Sequence, residues 1–151
     1  VLKYVKGDLF DFKAGIIAHC VNCVGAFGAG VAGQIARLYP GARTAYLMVH
    51  ERSGWELGMT QLIQVSKEPD LIIANVAGQY DFGTHKVQVD YSALAIGLEK
   101  VFKFAELENM SVALPKIGCG LAGGDWGTVE RIITTLLMKY PIVVTIYEKG
   151  V

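Results

Sequence analysis

The sequence predicts an α/β protein, a three-layer α/β/α sandwich around a mixed, mostly parallel sheet. Three observations carry that prediction. Strand-like and helix-like stretches alternate along the chain, the pattern of a parallel sheet with helices on its faces. Two runs, Gly15 to Val21 and Leu71 to Val76, are apolar almost throughout, as strands buried on both faces are. Nine of the 18 glycines fall in two stretches, Gly25 to Gly33 and Gly118 to Gly127, each between a strand-like and a helix-like segment.

Taken in order, Leu2-Lys3-Tyr4-Val5 alternates and reads as a strand halted by Gly7-Asp8. Gly15 to Val21 is the first buried strand. A helix from about Gly30 places Val31, Ile35, Leu38 and Tyr39 near one face, and Pro40-Gly41 ends it. A second helical pattern runs to about Arg52, where Ser53-Gly54 breaks it. Met59 to Val65 reads as a strand turned by Lys67-Glu68-Pro69-Asp70, and Leu71 to Val76 as the second buried strand. Gly78 to Lys86 is polar and glycine-containing, a surface loop of the mobile kind. Asp90 is placed to cap a helix carrying Leu94, Leu98, Val101 and Ala105. Ser111 to Leu114 is a short strand. Asp125 is placed to cap the last helix, with Trp126, Val129, Ile133, Leu136 and Tyr140 on one stripe, and Ile142 to Tyr147 closes as a strand.

Composition narrows the function classes. A chain of 151 residues, 52% hydrophobic and 19% charged, suits one globular domain over residues 1–151. Fourteen basic residues balance fourteen acidic ones without a basic run, which speaks against strong nucleic-acid backbone binding. No stretch reaches the roughly 18 apolar residues of a membrane span, and no signal-peptide pattern is present. The chain opens on Val1 rather than Met, which leaves room for a preceding segment. Cys20, Cys23 and Cys119 cannot all pair, so a reducing, cytoplasmic setting is expected. Cys20 and Cys23 lie on a strand and its exit rather than a helix N-terminus, and zinc would need two more ligands, for which only His19 and Cys119 stand as distant candidates. They read as buried apolar cysteines, with no metal centre.

In a parallel sheet, ligands bind beyond the C-terminal ends of the strands. Both glycine stretches fall there, as do Asp8 and Asn75. A strand opening through glycines into a helix N-terminus presents free N–H groups and a favourable dipole to a phosphate, so two such loops suit a diphosphate. Gly28-Ala29-Gly30-Val31-Ala32-Gly33 also fits the G-x-G-x-x-G dinucleotide pattern. That pattern, however, puts its first glycine almost directly after the strand and an acidic residue at a strand end about 20 residues on. Here Asn22 to Phe27 intervene, and the later region reads as a helix and its exit, which argues against a Rossmann site.

Three motifs carry a family likeness: Tyr4-Val5-Lys6-Gly7-Asp8-Leu9-Phe10; Asn22-Cys23-Val24-Gly25 with Gly28 to Ala32; and Leu114-Pro115-Lys116-Ile117-Gly118-Cys119-Gly120-Leu121-Ala122-Gly123-Gly124-Asp125-Trp126. Together, in this order and over essentially the whole chain, they resemble a macro domain. The resemblance implies an ADP-ribose pocket without a cofactor, in a monomer. Asp8 would accept a hydrogen bond from the adenine amino group, with the Leu9 backbone beside it. Gly28, Ala29, Gly30, Val31 and Ala32 would hold the diphosphate from one side, and Ile117, Gly118, Cys119, Gly120, Leu121 and Ala122 from the other. Asn22 would stand by the distal ribose and Tyr147 by the adenine. Each polar residue also has an architectural reading: Asp8 as a turn residue, Asn22 as a loop organiser, Asp90 and Asp125 as helix caps, His19 as a satisfied core histidine.

Within the family, the likeness is incomplete for both glycohydrolase types. Ala32 stands where one type carries a loop aspartate. The stretch Asn75-Val76-Ala77-Gly78-Gln79 lacks the lysine of a second type, and Ala122 stands where its glutamate-directed members carry an aspartate. The ADP-ribose 1″-phosphate phosphatase branch is nearest, through His19 before the Asn22-Cys23-Val24-Gly25 run and the helix start Val31-Ala32-Gly33-Gln34. The expectation is a phosphatase in which His19 is an acid/base near neutral pH. Asn22 and the loop amides hold ribose and phosphate, with Asp125 and Asp90 as secondary candidates. An ADP-ribosyl hydrolase and a non-catalytic ADP-ribose reader or scavenger are the alternatives.

Overall fold

The computed structural model describes residues 1–149. Among these residues six strands form one sheet and four helices cover it: β1 (Leu2–Lys6), β2 (Gly15–Val21), α1 (Gly30–Leu38), α2 (Pro40–Arg52), β3 (Thr60–Ser66), β4 (Leu71–Ala77), α3 (Tyr91–Leu107), β5 (Val112–Leu114), α4 (Trp126–Lys139) and β6 (Val144–Glu148). Spatial order is β1-β6-β5-β2-β4-β3. Every neighbouring pair is parallel except β3 with β4, the antiparallel edge of a mixed sheet.

The alternation of side chains on β2 splits the core into two layers. Ile16 and Ala18 face α3 and α4, packing with Leu94, Leu98, Val101, Phe102, Val129 and Ile133. Ile17 and Val21 face α1 and α2, packing with Ile35, Ala42 and Tyr46. Both faces of β2 and β4 are therefore buried, which explains their near-continuous apolar sequence. The three-layer sandwich of the sequence-based expectation is the observed architecture.

Helix boundaries follow local chemistry. Asp90 accepts the Ala93 N–H at 2.9 Å to start α3, and Asp125 accepts the Thr128 N–H at 2.9 Å to start α4. Pro40 takes the first position of α2, where its missing N–H costs nothing. Helix α1 has no side-chain cap, so its first amides are left open. The expected apolar face of α1 is narrower than its sequence spacing: Ile35 is fully buried, whereas Leu38 is exposed. Tyr39 fills that last turn instead, packing at a tilt on Phe10 with ring centroids 6.5 Å apart. A single turn of 3-10 helix over Leu9–Asp11, capped by Asp8, follows β1 where the alternating pattern predicts no element.

Candidate functional site

A cavity of about 990 Å³ lies over the C-terminal ends of β2, β5 and β6. The two glycine-rich loops form opposite walls. Gly28 to Ala32 line one wall and Ile117 to Ala122 the other, with Leu121 resting about 3.4 Å from where a Cβ on Gly30 would stand. Among the described residues, the backbone N–H groups of Gly28, Ala29, Gly30, Val31 and Ala32 have no protein acceptor. Gly118, Gly120, Leu121 and Ala122 likewise keep theirs free, whereas Ile117 and Cys119 spend theirs on Pro115 and Lys116 carbonyls. Two facing rows of amides, one of them at the start of α1, make an anion-binding slot without requiring a cationic side chain.

The two ends of the slot differ. At one end are Tyr147, Glu148 and Lys149 at the close of β6, with Lys116 in the segment that follows β5. The Lys116 ammonium lies 6.0 Å from the centre of the Trp126 ring. At the other end are His19, Cys20, Val21, Asn22, Gln79 and Phe82. The Gly78–Lys86 loop thus borders the cavity through Gln79, Phe82, Gly83 and Thr84, tied to the first loop by a hydrogen bond from Cys23 N–H to the Tyr80 carbonyl at 2.8 Å.

Most of the residues singled out from the sequence meet here, but the candidates Asp8, Leu9, Asp125 and Asp90 do not line the cavity. Asp8 and Leu9 sit at its rim, beside Glu148, whose carbonyl accepts the Gly7 N–H at 2.8 Å. The Asp8 carboxylate accepts the Phe10 N–H at 2.9 Å, so it serves as a cap, and the Leu9 side chain is in the core. Asp125, a candidate catalyst by sequence, is exposed and outside the cavity. Its carboxylate is occupied by the Thr128 N–H and hydroxyl, each at 2.9 Å, and these hold its pKa below the ordinary value. Asp90 likewise serves as a helix cap.

Asn22 lines the cavity, yet its amide organises the loop. Oδ1 accepts N–H bonds from Val24 at 3.1 Å and Ala26 at 3.2 Å, and Nδ2 donates to the Ala26 carbonyl at 2.7 Å.

His19 departs further from expectation. It is 1% exposed, and its Nε2 lies 2.5 Å from Asn75 Oδ1. Asn75 donates both Nδ2 protons, to the Ala42 carbonyl and Gln61 Oε1, so its Oδ1 accepts and His19 carries its proton on Nε2. Nδ1 is buried without a partner. Burial lowers the pKa to about 4, against which the Asn75 hydrogen bond works only in part. An imidazole held neutral, with one nitrogen engaged and the other shut off from solvent, does not fit the expected acid/base near neutral pH. Position at the strand end is legible in sequence; which way the ring turns depends on Asn75 of the neighbouring strand.

Burial also raises the Cys20 thiol to about 12 and the Cys119 thiol above its usual value, so neither is a thiolate near neutral pH. Among the described residues the cavity lining carries one carboxylate, Glu148, and it sits at the Tyr147 end. Sequence reading missed Lys116, Glu148 and Lys149 as lining residues, which lie just beyond the paired ends of β5 and β6. It also missed Tyr46, whose part in the first loop depends on packing between α2 and that loop.

Comparison with known proteins agrees with this geometry. The macro domain family model matches residues 18–133. A macrodomain protein from Streptomyces coelicolor superposes with a TM-score of 0.84 at 34% identity, covering 99% of this chain and 100% of that one. An ADP-ribose 1″-phosphate phosphatase of Lodderomyces elongisporus is 31% identical over 89% of this chain and 92% of its own length. A DNA ADP-ribosyl glycohydrolase of Mycobacterium tuberculosis is 32% identical over 93% of this chain, which spans only 40% of that longer protein. With its glycine loops facing each other across the sheet edge and the family model covering most of its length, the chain belongs to the macro domain family.

Proposed function

We propose that this chain binds ADP-ribose along the cavity and removes the terminal phosphate from ADP-ribose 1″-phosphate. The observation that carries the reading is the pair of facing amide rows with no carboxylate at the His19 end. A diphosphate between the rows receives hydrogen bonds from both walls, its adenosine lies toward Tyr147, and its second ribose lies toward Asn22. The two glycohydrolase types carry a loop aspartate or a lysine, and this chain has Ala32 and the lysine-free stretch Asn75 to Gln79 in those places. Phosphoryl transfer asks less of side-chain chemistry, because positioning and stabilisation of the phosphoryl oxygens supply most of the catalysis. In this reading a water oxygen bonds to phosphorus as the bond to the C1″ oxygen breaks. One water proton passes by way of a non-bridging phosphate oxygen to the departing C1″ oxygen, so that ADP-ribose leaves with a free hydroxyl and the phosphate leaves as hydrogen phosphate. The likeness to the fungal phosphatase over nearly its whole length supports the same reading.

A second reading, a reader of ADP-ribose without catalysis, is favoured by the neutral His19 and the absence of any thiolate near neutral pH. Incubation with ADP-ribose 1″-phosphate, with detection of released phosphate, separates the two. Phosphate release at a rate proportional to protein supports the phosphatase. Calorimetric binding of ADP-ribose without release leaves the reader. Release of ADP-ribose from modified DNA, without phosphatase activity, would instead align the chain with the mycobacterial glycohydrolase.

A further inference from the structure

Tyr46, on α2, is fully buried beneath the first ligand loop. Its hydroxyl lies 2.8 Å from both the Asn22 carbonyl oxygen and Asn22 Oδ1, and it accepts the Gly25 N–H at 3.0 Å. Asn22 Oδ1 accepts the Val24 and Ala26 amides. The three amides Val24, Gly25 and Ala26 are therefore all turned inward onto this one hub, and beyond them the free amides that line the cavity begin at Gly28. Gly25 sits at φ 89°, a left-handed bend that the hub holds in place. The ring itself is clamped. It stacks on Trp55 with centroids 5.1 Å apart and an interplanar angle of 29°, and it packs on Phe27 at 5.1 Å. Trp55 Nε1 donates to the Tyr46 carbonyl at 3.0 Å, which anchors the base of the column.

We propose that Tyr46 is a positioning residue for the distal half of the ligand site, its hydroxyl setting the Asn22–Phe27 turn from which the Gly28–Ala32 amides are presented. The assignment rests on the ADP-ribose reading above. Every hydrogen-bond partner of the hydroxyl belongs to the turn at the His19 end, and none to the Tyr147 end. Loss of the hydroxyl should therefore weaken ligands that reach the far ribose and spare those that stop short of it. A residue that only stabilised the fold would affect both alike.

The test is Tyr46→Phe, which keeps the ring and its stack. Calorimetry should show ADP-ribose bound about tenfold more weakly, as expected for a buried hydrogen-bonding hub left incomplete, with adenosine affinity unchanged within about twofold. Equal weakening of both ligands, or of neither, would overturn the assignment while leaving ADP-ribose binding by the unaltered chain intact. Failure of the unaltered chain to bind ADP-ribose would overturn the functional reading and this inference with it. Should Tyr46→Phe not fold, hydrogen exchange on the unaltered chain decides. Saturation with ADP-ribose should slow exchange of the Gly25 amide about tenfold more than saturation with adenosine, and equal protection by the two ligands overturns the proposal.

Discussion

At the scale of single residues, the buried polar groups decide what the cavity can do. The His19–Asn75 pair ties β2 to β4 at the strand ends, and burial keeps the imidazole neutral near neutral pH. The same burial makes His19 a cost on acidification. Unfolded, the ring takes a proton below about pH 6.5; folded, it does so only near pH 4. Between those values the unfolded state binds more protons, so stability is fully present above pH 6.5 and is lost as pH falls toward 4. Denaturant unfolding should show a loss on the order of 2 kcal/mol between pH 7 and pH 5 from this group. His19→Gln, which can still reach Asn75, should flatten that part of the profile, and an unchanged slope would show that His19 is not the group responsible. Sequence placed His19 at the end of a buried strand. It could not tell a histidine facing ligand from one turned into the α1/α2 layer, because that choice depends on an asparagine 56 residues away.

At the scale of elements, the site is two strand–loop–helix units built on the same close approach. In the first, a Cβ on Gly33 of α1 would stand 2.8 Å from the Gly28 carbonyl; in the second, a Cβ on Gly124 would stand 2.5 Å from the Gly118 carbonyl. Each glycine lets the chain after its loop fold back onto the loop's own backbone, which fixes where the free amides point. Gly33→Ala should therefore weaken ADP-ribose binding by about tenfold or more, since either the helix or the Gly28 carbonyl must move. Gly41→Ala in α2 is the control, because nothing lies within 4 Å of the added carbon. It should raise stability by roughly 0.5 kcal/mol through helix propensity and leave affinity unchanged. Paired calorimetry and thermal melts on the two variants check this, and equal affinities would refute the loop-spacing argument. The clustering of glycines was visible in the sequence, but clustering alone does not distinguish those that face ligand from those that permit packing. Gly28 and Gly120 line the cavity with open space around them, whereas Gly33 and Gly124 touch backbone.

At the scale of the whole molecule, the slot draws on distant parts of the chain. One wall comes from residues 28–32, the other from 117–122, and the Tyr147 end from the last strand, all brought together by the order β1-β6-β5-β2-β4-β3. A ligand spanning the slot bonds only to the folded chain, so it stabilises the fold by mass action. At about 100 times its dissociation constant, ADP-ribose should add about 2.7 kcal/mol and raise the melting temperature by roughly 5–10 °C. Differential scanning fluorimetry against AMP, which fills less of the slot, checks this. A shift from AMP as large as that from ADP-ribose would mean the far end contributes nothing.

The sequence by itself determined the sandwich, the caps at Asp90 and Asp125, the two glycine loops at the sheet edge and the family likeness. These are legible because periodicity, capping and the lack of a Cβ are local properties of a few consecutive residues. Only the tertiary structure decided that His19 is buried against Asn75, that Asp125 stands outside the cavity, that Asn22 and Tyr46 together hold the loop, and that Lys116 and Glu148 both line the cavity. Those outcomes depend on cross-strand register and on which buried donor meets which acceptor. Neighbours far apart in the chain settle them, and no local pattern encodes such pairings.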